Sequence, residues 1–207
     1  WIGTFNGLFR IIGIKRGIEK YTVRDGLAND HISSIMEDSE GNLWVGTIKG
    51  LNRVKKAPDG TVSFESLLKS FLINYLFEDR EKSLWIGTDN SGLRRLKDGK
   101  FMSYELLEAQ PEEIPGSLFE DRHGDIWIGT LSGKLFRCQD GLLIESAAIK
   151  DHSGTGITAV AAMAEDAKGN LWLGTIGKGV FQKKNNHLSQ FNMEGLADNL
   201  VTSIYRD

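Results

Sequence analysis

An all-β chain of repeated four-stranded antiparallel sheets is the fold class the sequence predicts, and three observations predict it. The first is the tryptophans. Trp1, Trp44, Trp85, Trp127 and Trp172 are the five in the chain, each is followed by an aliphatic residue, Gly and Thr, and the intervals between them are 43, 41, 42 and 45 residues. A period in the forties marks a repeat architecture. The second is that short apolar or alternating runs, bounded by Gly, Asp and Asn, recur inside each period as strands joined by tight turns do. The third excludes the helical alternative: no segment of a dozen residues keeps a 3.6-residue apolar period free of Gly-rich punctuation. Four-stranded units of about 40 residues set radially make a β-propeller.

Composition fits such a chain. Of 207 residues, 40% are hydrophobic and 26% charged, ordinary values for a folded globular protein, and 24 Gly against 3 Pro suits many tight turns. The net charge of -3 and the lack of a Lys/Arg block give no pull on nucleic acid. Cys138 stands alone, which rules out an internal disulfide, and the four His are scattered with no zinc-ligand spacing, so neither a metal nor a cofactor is expected. No apolar run approaches the roughly 18 residues of a membrane span, so no direct membrane insertion is expected, and no cleavable signal begins the chain. Because it opens inside a motif at Trp1, the sequence reads as an excerpt, and the lack of a signal does not argue for the cytoplasm.

The second repeat is the template. His31 to Glu37 is its inner strand, Asp38 to Asn42 a tight turn, Leu43 to Thr47 the Trp strand, Gly50 to Val54 the third strand and Thr61 to Phe64 the outer one. The same plan gives blades at approximately 31–64, 72–104, 114–145 and 156–191. The third repeat departs once, with Lys82 where the turn Gly belongs, so that turn needs another backbone shape or accepts strain. Residues 1–23 supply the last three strands of a blade, and 199–207 read as an inner strand. The single domain 1–207 is therefore either an arc of a larger propeller or a five-bladed ring closed by pairing 200–207 with 1–4.

Two sets of residues read as structural. Asp38, Asp79, Asp121, Asp166 and Asp207 each close an inner strand, where a carboxylate accepts from turn amides two or three residues on. One per sheet, they are too dispersed for calcium binding or acid/base work. Trp1, Trp44, Trp85, Trp127 and Trp172 are expected to bury large area between neighbouring sheets, with the Gly that follows each allowing close backbone approach.

The pattern of Asp25-Gly26-Leu27, Ile32-Ser33-Ser34-Ile35, Glu37-Asp38, Gly41-Asn42-Leu43-Trp44-Val45-Gly46-Thr47 and Gly50-Leu51-Asn52-Arg53 resembles the two-component regulator propeller repeat, and it returns at Glu194 to Asn199, Val201 to Ile204 and Asp207. The resemblance spans the whole chain. WD-type and kelch repeats fit worse, since there is no Gly-His to Trp-Asp pair and no Gly-Gly doublet in each blade; the turn alone is also similar to the Asp-box of sialidases. The resemblance implies a seven-bladed ring. It also implies the periplasmic or extracellular sensory ectodomain of a bacterial hybrid histidine kinase, which takes part in signal transduction by recognising a ligand, often a glycan fragment. It implies no catalysis in this segment; kinase activity would reside in other domains. Partners implied are an oligosaccharide or other polar ligand, adjacent blades and downstream receptor domains.

Specificity should lie in loops rather than in the repeat core. The connections between the second and third strands differ from unit to unit and supply Asn6, Lys49, Asp89, Asn90, Ser132 and Lys178, while the longer connections between blades supply Glu112, Glu113, Asp151 and His152. Amide, hydroxyl and mixed-charge groups of this kind suit a hydroxyl-rich ligand. A protein-interaction platform, including a homodimer, and a propeller lyase stay open as alternatives, although no acid/base pair converges in the sequence.

Overall fold

In every complete repeat the strand carrying Trp-aliphatic-Gly-Thr is almost wholly buried, and the remaining strands are layered around it. The computed structural model describes residues 1–13, 17–89, 92–104, 113–139, 141–149, 158–191 and 199–206. The first sheet is β1 (Ile2–Thr4), β2 (Gly7–Ile11) and β3 (Ile18–Tyr21). The second is β4 (Ile32–Glu37), β5 (Leu43–Thr47), β6 (Gly50–Lys56) and β7 (Val62–Leu67). The third is β8 (Ile73–Glu78), β9 (Leu84–Thr88), β10 (Leu93–Lys97) and β11 (Lys100–Tyr104). The fourth is β12 (Pro115–Glu120), β13 (Ile126–Thr130), β14 (Lys134–Gln139) and β15 (Leu142–Ala148), and the fifth is β16 (Val160–Glu165), β17 (Leu171–Thr175), β18 (Gly179–Lys184) and β19 (His187–Phe191). All pairings are antiparallel between strands consecutive in sequence, the meander of a propeller blade.

Each inner strand carries a β-bulge at the same place, after Ile32, Ile73, Pro115 and Val160, where two residues oppose one of the Trp strand. The bulge re-aims the backbone toward the next blade. There, Ser33 Oγ donates to the carbonyl of Ile73 at 2.5 Å and Ser117 Oγ to that of Val160 at 2.8 Å.

Trp1–Ser103 and Tyr104–Asp207 form two compact units. In the first, Leu8, Ile32, Leu43 and Val45 form a core with Trp1 and Tyr21 at its margin, and Trp44 packs with Leu51, Ile73, Leu76, Leu84 and Ile86 in another. In the second, Trp127 packs with Leu135, Val160, Met163, Leu171, Leu173 and Phe181. Each of these cores joins residues of two successive sheets, so a sheet is stabilised mainly by its neighbour, as in other repeat arrays.

Two segments differ from the sequence expectation. The strand expected through Val23 stops at Tyr21, because the Asp25 carboxylate accepts from Thr22 N at 2.8 Å and starts a 3₁₀ turn over Val23–Asp25, the one helical element among the described residues. The strand expected over 200–207 is not formed: Leu200 makes one antiparallel bridge with Ile176, and Val201 N donates to Thr175 O at 2.9 Å. Elsewhere the inner strand is held by the Trp strand following it in sequence, and residues 199–206 have no such strand after them among the described residues. Val201 nonetheless packs on Gly174 as Ile73 packs on Gly46.

At the turn closing the inner strand, Gly41, Gly124 and Gly169 have φ of 81°, 87° and 84°, and Lys82 adopts the same left-handed conformation with φ 61°. The turn keeps its shape and accepts the strain of a side chain there. Lys82→Gly is therefore expected to raise the unfolding free energy by about 1 kcal/mol, readable as a higher denaturant midpoint.

Candidate functional site

Each blade presents two ends, one made by its Asp turn and one by the loop after its Trp strand. At the first end the Asp carboxylate reaches further than its turn. Asp38 accepts from the amides of Glu40 and Asn42, from Asn42 Nδ2, and from Trp44 Nε1 at 2.7 Å. Asp79 accepts from Ser83 N and from Trp85 Nε1 at 2.6 Å; Asp121 from the amides of His123 and Asp125 and from Trp127 Nε1 at 2.8 Å; Asp166 from Lys168 N, Asn170 N and Nδ2, and Trp172 Nε1 at 3.0 Å. Burial opposes ionisation of Asp38, but the indole and amide donors outweigh it and hold its carboxyl below the ordinary value. The Asn170 amide, joined by Trp172 and the turn amides, holds Asp166 well below the carboxylate range despite its desolvation. Asp38 and Asp166, held as anions by several donors each, are poor candidates for acid/base work. Asp207 lies outside the described residues.

Two further regularities tie this end together. Opposite the tryptophan on the third strand stands an arginine, in the pairs Trp44 with Arg53, Trp85 with Arg95 and Trp127 with Arg137, its guanidinium 5.8, 5.1 and 5.4 Å from the ring. The Glu preceding the turn Asp accepts from the previous blade: Glu78 takes Ser39 N at 2.7 Å, and Glu165 takes Arg122 N at 2.8 Å and its guanidinium.

At the loop end, the Thr after Trp-aliphatic-Gly closes each connection. Thr4, Thr47, Thr88 and Thr175 donate to the carbonyls of Gly7, Gly50, Gly92 and Gly179, all at 2.8 Å. The candidate loop residues are mounted on this frame. Asn6 and Lys49 are exposed, each with its backbone N–H on the Thr hydroxyl. Beside Asn6, Phe5 is 80% exposed and meets the His31 ring edge-on at 4.5 Å. Lys49 shares a recess of about 580 Å³ with Ala28, Ser66, Lys69 and Ser70, and its carbonyl accepts from Ser70 N. Asn52, fully buried beneath, donates to Ser66 Oγ and accepts from Ala28 N, which fixes the recess wall.

The other candidates differ in how free they are. Asp89 Oδ1 is buried without a hydrogen-bond partner among the described residues. Ser132 is committed internally: its hydroxyl donates to Glu113 at 2.5 Å and lies 2.8 Å from Thr130 Oγ1. Glu113, itself buried, pairs with Lys134 at 2.7 Å; burial raises its pKa, but Lys134 and the hydroxyls more than offset this and keep it an anion. Lys178 is half-buried, and its carbonyl accepts from Gln190 Nε2. Asn90, Glu112, Asp151 and His152 lie outside the described residues. Among the described residues no three His, Cys, Asp or Glu side chains are grouped as a metal centre requires, and no helix is long and apolar enough to cross a membrane.

Comparison with known proteins places this architecture. Residues 26–49, 110–132 and 153–177 match the sequence model described as two component regulator propeller. No curated protein matches the chain. Among solved structures, the extracellular domain of BT4673 from B. thetaiotaomicron, described as that of a hybrid two component system, superposes with a TM-score of 0.67 at 22% identity over 98% of this chain and 30% of its own. Virginiamycin B lyase from Staphylococcus aureus superposes at 0.65 with 17% identity, over 88% of this chain and 61% of its own, and PorZ of Porphyromonas gingivalis at 0.64 with 15% identity, over 99% and 34%. These likenesses show the propeller fold, and the chain spans less than a third of the length of the BT4673 domain. The period and the blades agree with the three stretches that match the two-component regulator propeller model.

Proposed function

We propose that the chain is part of the extracytoplasmic sensory propeller of a two-component signalling receptor, and that its loop end contributes to binding a hydroxyl-rich ligand of the glycan type. The observation that carries the sensory reading is the triple match to the two-component regulator propeller repeat. The loop end is the part free to vary on that frame. On it, the recess at Lys49 combines two ammonium groups and two hydroxyls with the apolar wall of Ala28, the mixture that fixes and orients a sugar.

Calorimetric titration of the chain with a panel of neutral and acidic oligosaccharides tests the reading. Lys49→Ala and Lys69→Ala are each expected to weaken binding at least about tenfold, as loss of a charge-assisted hydrogen bond of about 1.5–3 kcal/mol requires, with an unchanged denaturant midpoint. Silence across the panel, or affinity indifferent to both substitutions, would overturn it. A protein-interaction surface is the second reading, and the 80% exposure of Phe5 favours it. Sedimentation of the same samples, with Phe5→Ser dispersing any dimer, separates the two.

A further inference from the structure

Another cavity opens at the Asp-turn end of the fourth and fifth sheets, between them. It measures about 300 Å³, has Trp127 as a wall, and is lined by Asp121, His123, Arg137, Glu165 and Lys183, with Asn185 and Asn186 contributed by the turn after β18. Lys183 is unusual among them. It is only 8% exposed, its ammonium lies 5.1 Å from the Trp127 ring centroid, and its hydrogen bond goes to the Asn185 carbonyl at 2.5 Å. The carboxylates nearby are already matched. Asp125 is paired with Arg137, Glu165 with Arg122, and Asp121 takes the Trp127 indole and two turn amides. Lys183 has no carboxylate partner among the described residues.

An ammonium withdrawn from water without a counter-ion is costly to hold, and proteins place such groups where something else supplies the charge. Burial, with Arg137 adding repulsion, pulls the Lys183 pKa below that of an ordinary lysine. The cavity is large enough for a compact ion, and the Asn185–Asn186 turn offers amide groups beside the ammonium. We propose that this cavity binds a small oxyanion, a carboxylate, sulfate or phosphate group, with Lys183 as its charge partner. The site shares no residue with the Lys49 recess and does not depend on the glycan reading.

The test follows the Lys183 ammonium signal by NMR while the chain is titrated with sodium acetate, sulfate or phosphate at constant ionic strength, with chloride as reference. At least one of the three is expected to move that signal along a saturating curve, and Lys183→Met, with an unchanged denaturant midpoint, to weaken the binding seen by calorimetry more than tenfold. Which anion saturates names the group recognised. A Lys183 signal that drifts linearly in all three salts as other lysines do overturns the proposal without any variant, and so does equal affinity in a folded Lys183→Met chain. Should that variant unfold, saturation in the wild-type chain together with a Lys183 pKa raised by the bound anion carries the proposal; an unmoved pKa ends it.

Discussion

Trp127→Ala is expected to lower the unfolding free energy by about 3 to 5 kcal/mol, through the cavity a large buried ring leaves behind. The ring is 6% exposed and sits among Leu135, Val160, Met163, Leu171 and Leu173, residues of two sheets, so its removal loosens the contact on which both depend. Packing is not its only role. Its Nε1 donates to Asp121, and Arg137 and Lys183 lie 5.4 and 5.1 Å from its ring centroid. Trp127→Phe keeps much of the apolar area but deprives a buried carboxylate oxygen of its donor, and should cost about 1 to 3 kcal/mol. Denaturant titration of the two variants therefore separates the ring from its hydrogen bond. A Trp127→Ala chain with an unchanged midpoint would mean that the indole is not buried between sheets.

The strands and their period were legible in the sequence because the Trp-aliphatic-Gly-Thr run is at once a strand and a packing unit, and a unit repeated five times declares its own boundaries. The partner of each Asp was less legible. The spacing from Asp38 to Trp44, Asp79 to Trp85, Asp121 to Trp127 and Asp166 to Trp172 is six residues throughout, a signal that was available. Spacing alone, however, does not say that a carboxylate ending one strand and an indole on the next share a face. That follows only from the register pairing Trp44 with Met36 and Arg53 across the sheet. The same holds for Ser132, whose loop composition suggests a ligand donor and whose hydroxyl is taken by a buried Glu113 from a distant stretch of chain. Nothing in the sequence sets Lys183 apart from Lys184 beside it, and its burial against the neighbouring blade is a property of the assembled sheets.

Gly129→Ala is expected to lower stability by about 1 to 3 kcal/mol, the usual cost of forcing atoms into a filled core. A Cβ built on Gly129 would lie 2.6 Å from Val160 Cβ and Cγ1 and 2.6 Å from Ser117 Oγ, closer than real contacts allow. Neither neighbour can yield easily: Ser117 Oγ is bonded to the Val160 carbonyl at 2.8 Å, and Val160 is fully buried on the bulge of the next inner strand. The sign is what makes this result diagnostic. In an uncrowded strand, replacing Gly by Ala limits the unfolded chain and stabilises by about 0.4 to 1 kcal/mol, so a loss has to come from the approach of the two sheets. The same approach is repeated where Gly46 meets Ile73 and Gly174 meets Val201, each at 2.7 Å. A gain in midpoint for Gly129→Ala would mean that the sheets can part at no cost, and that the Gly of each repeat is there for the strand rather than for its neighbour.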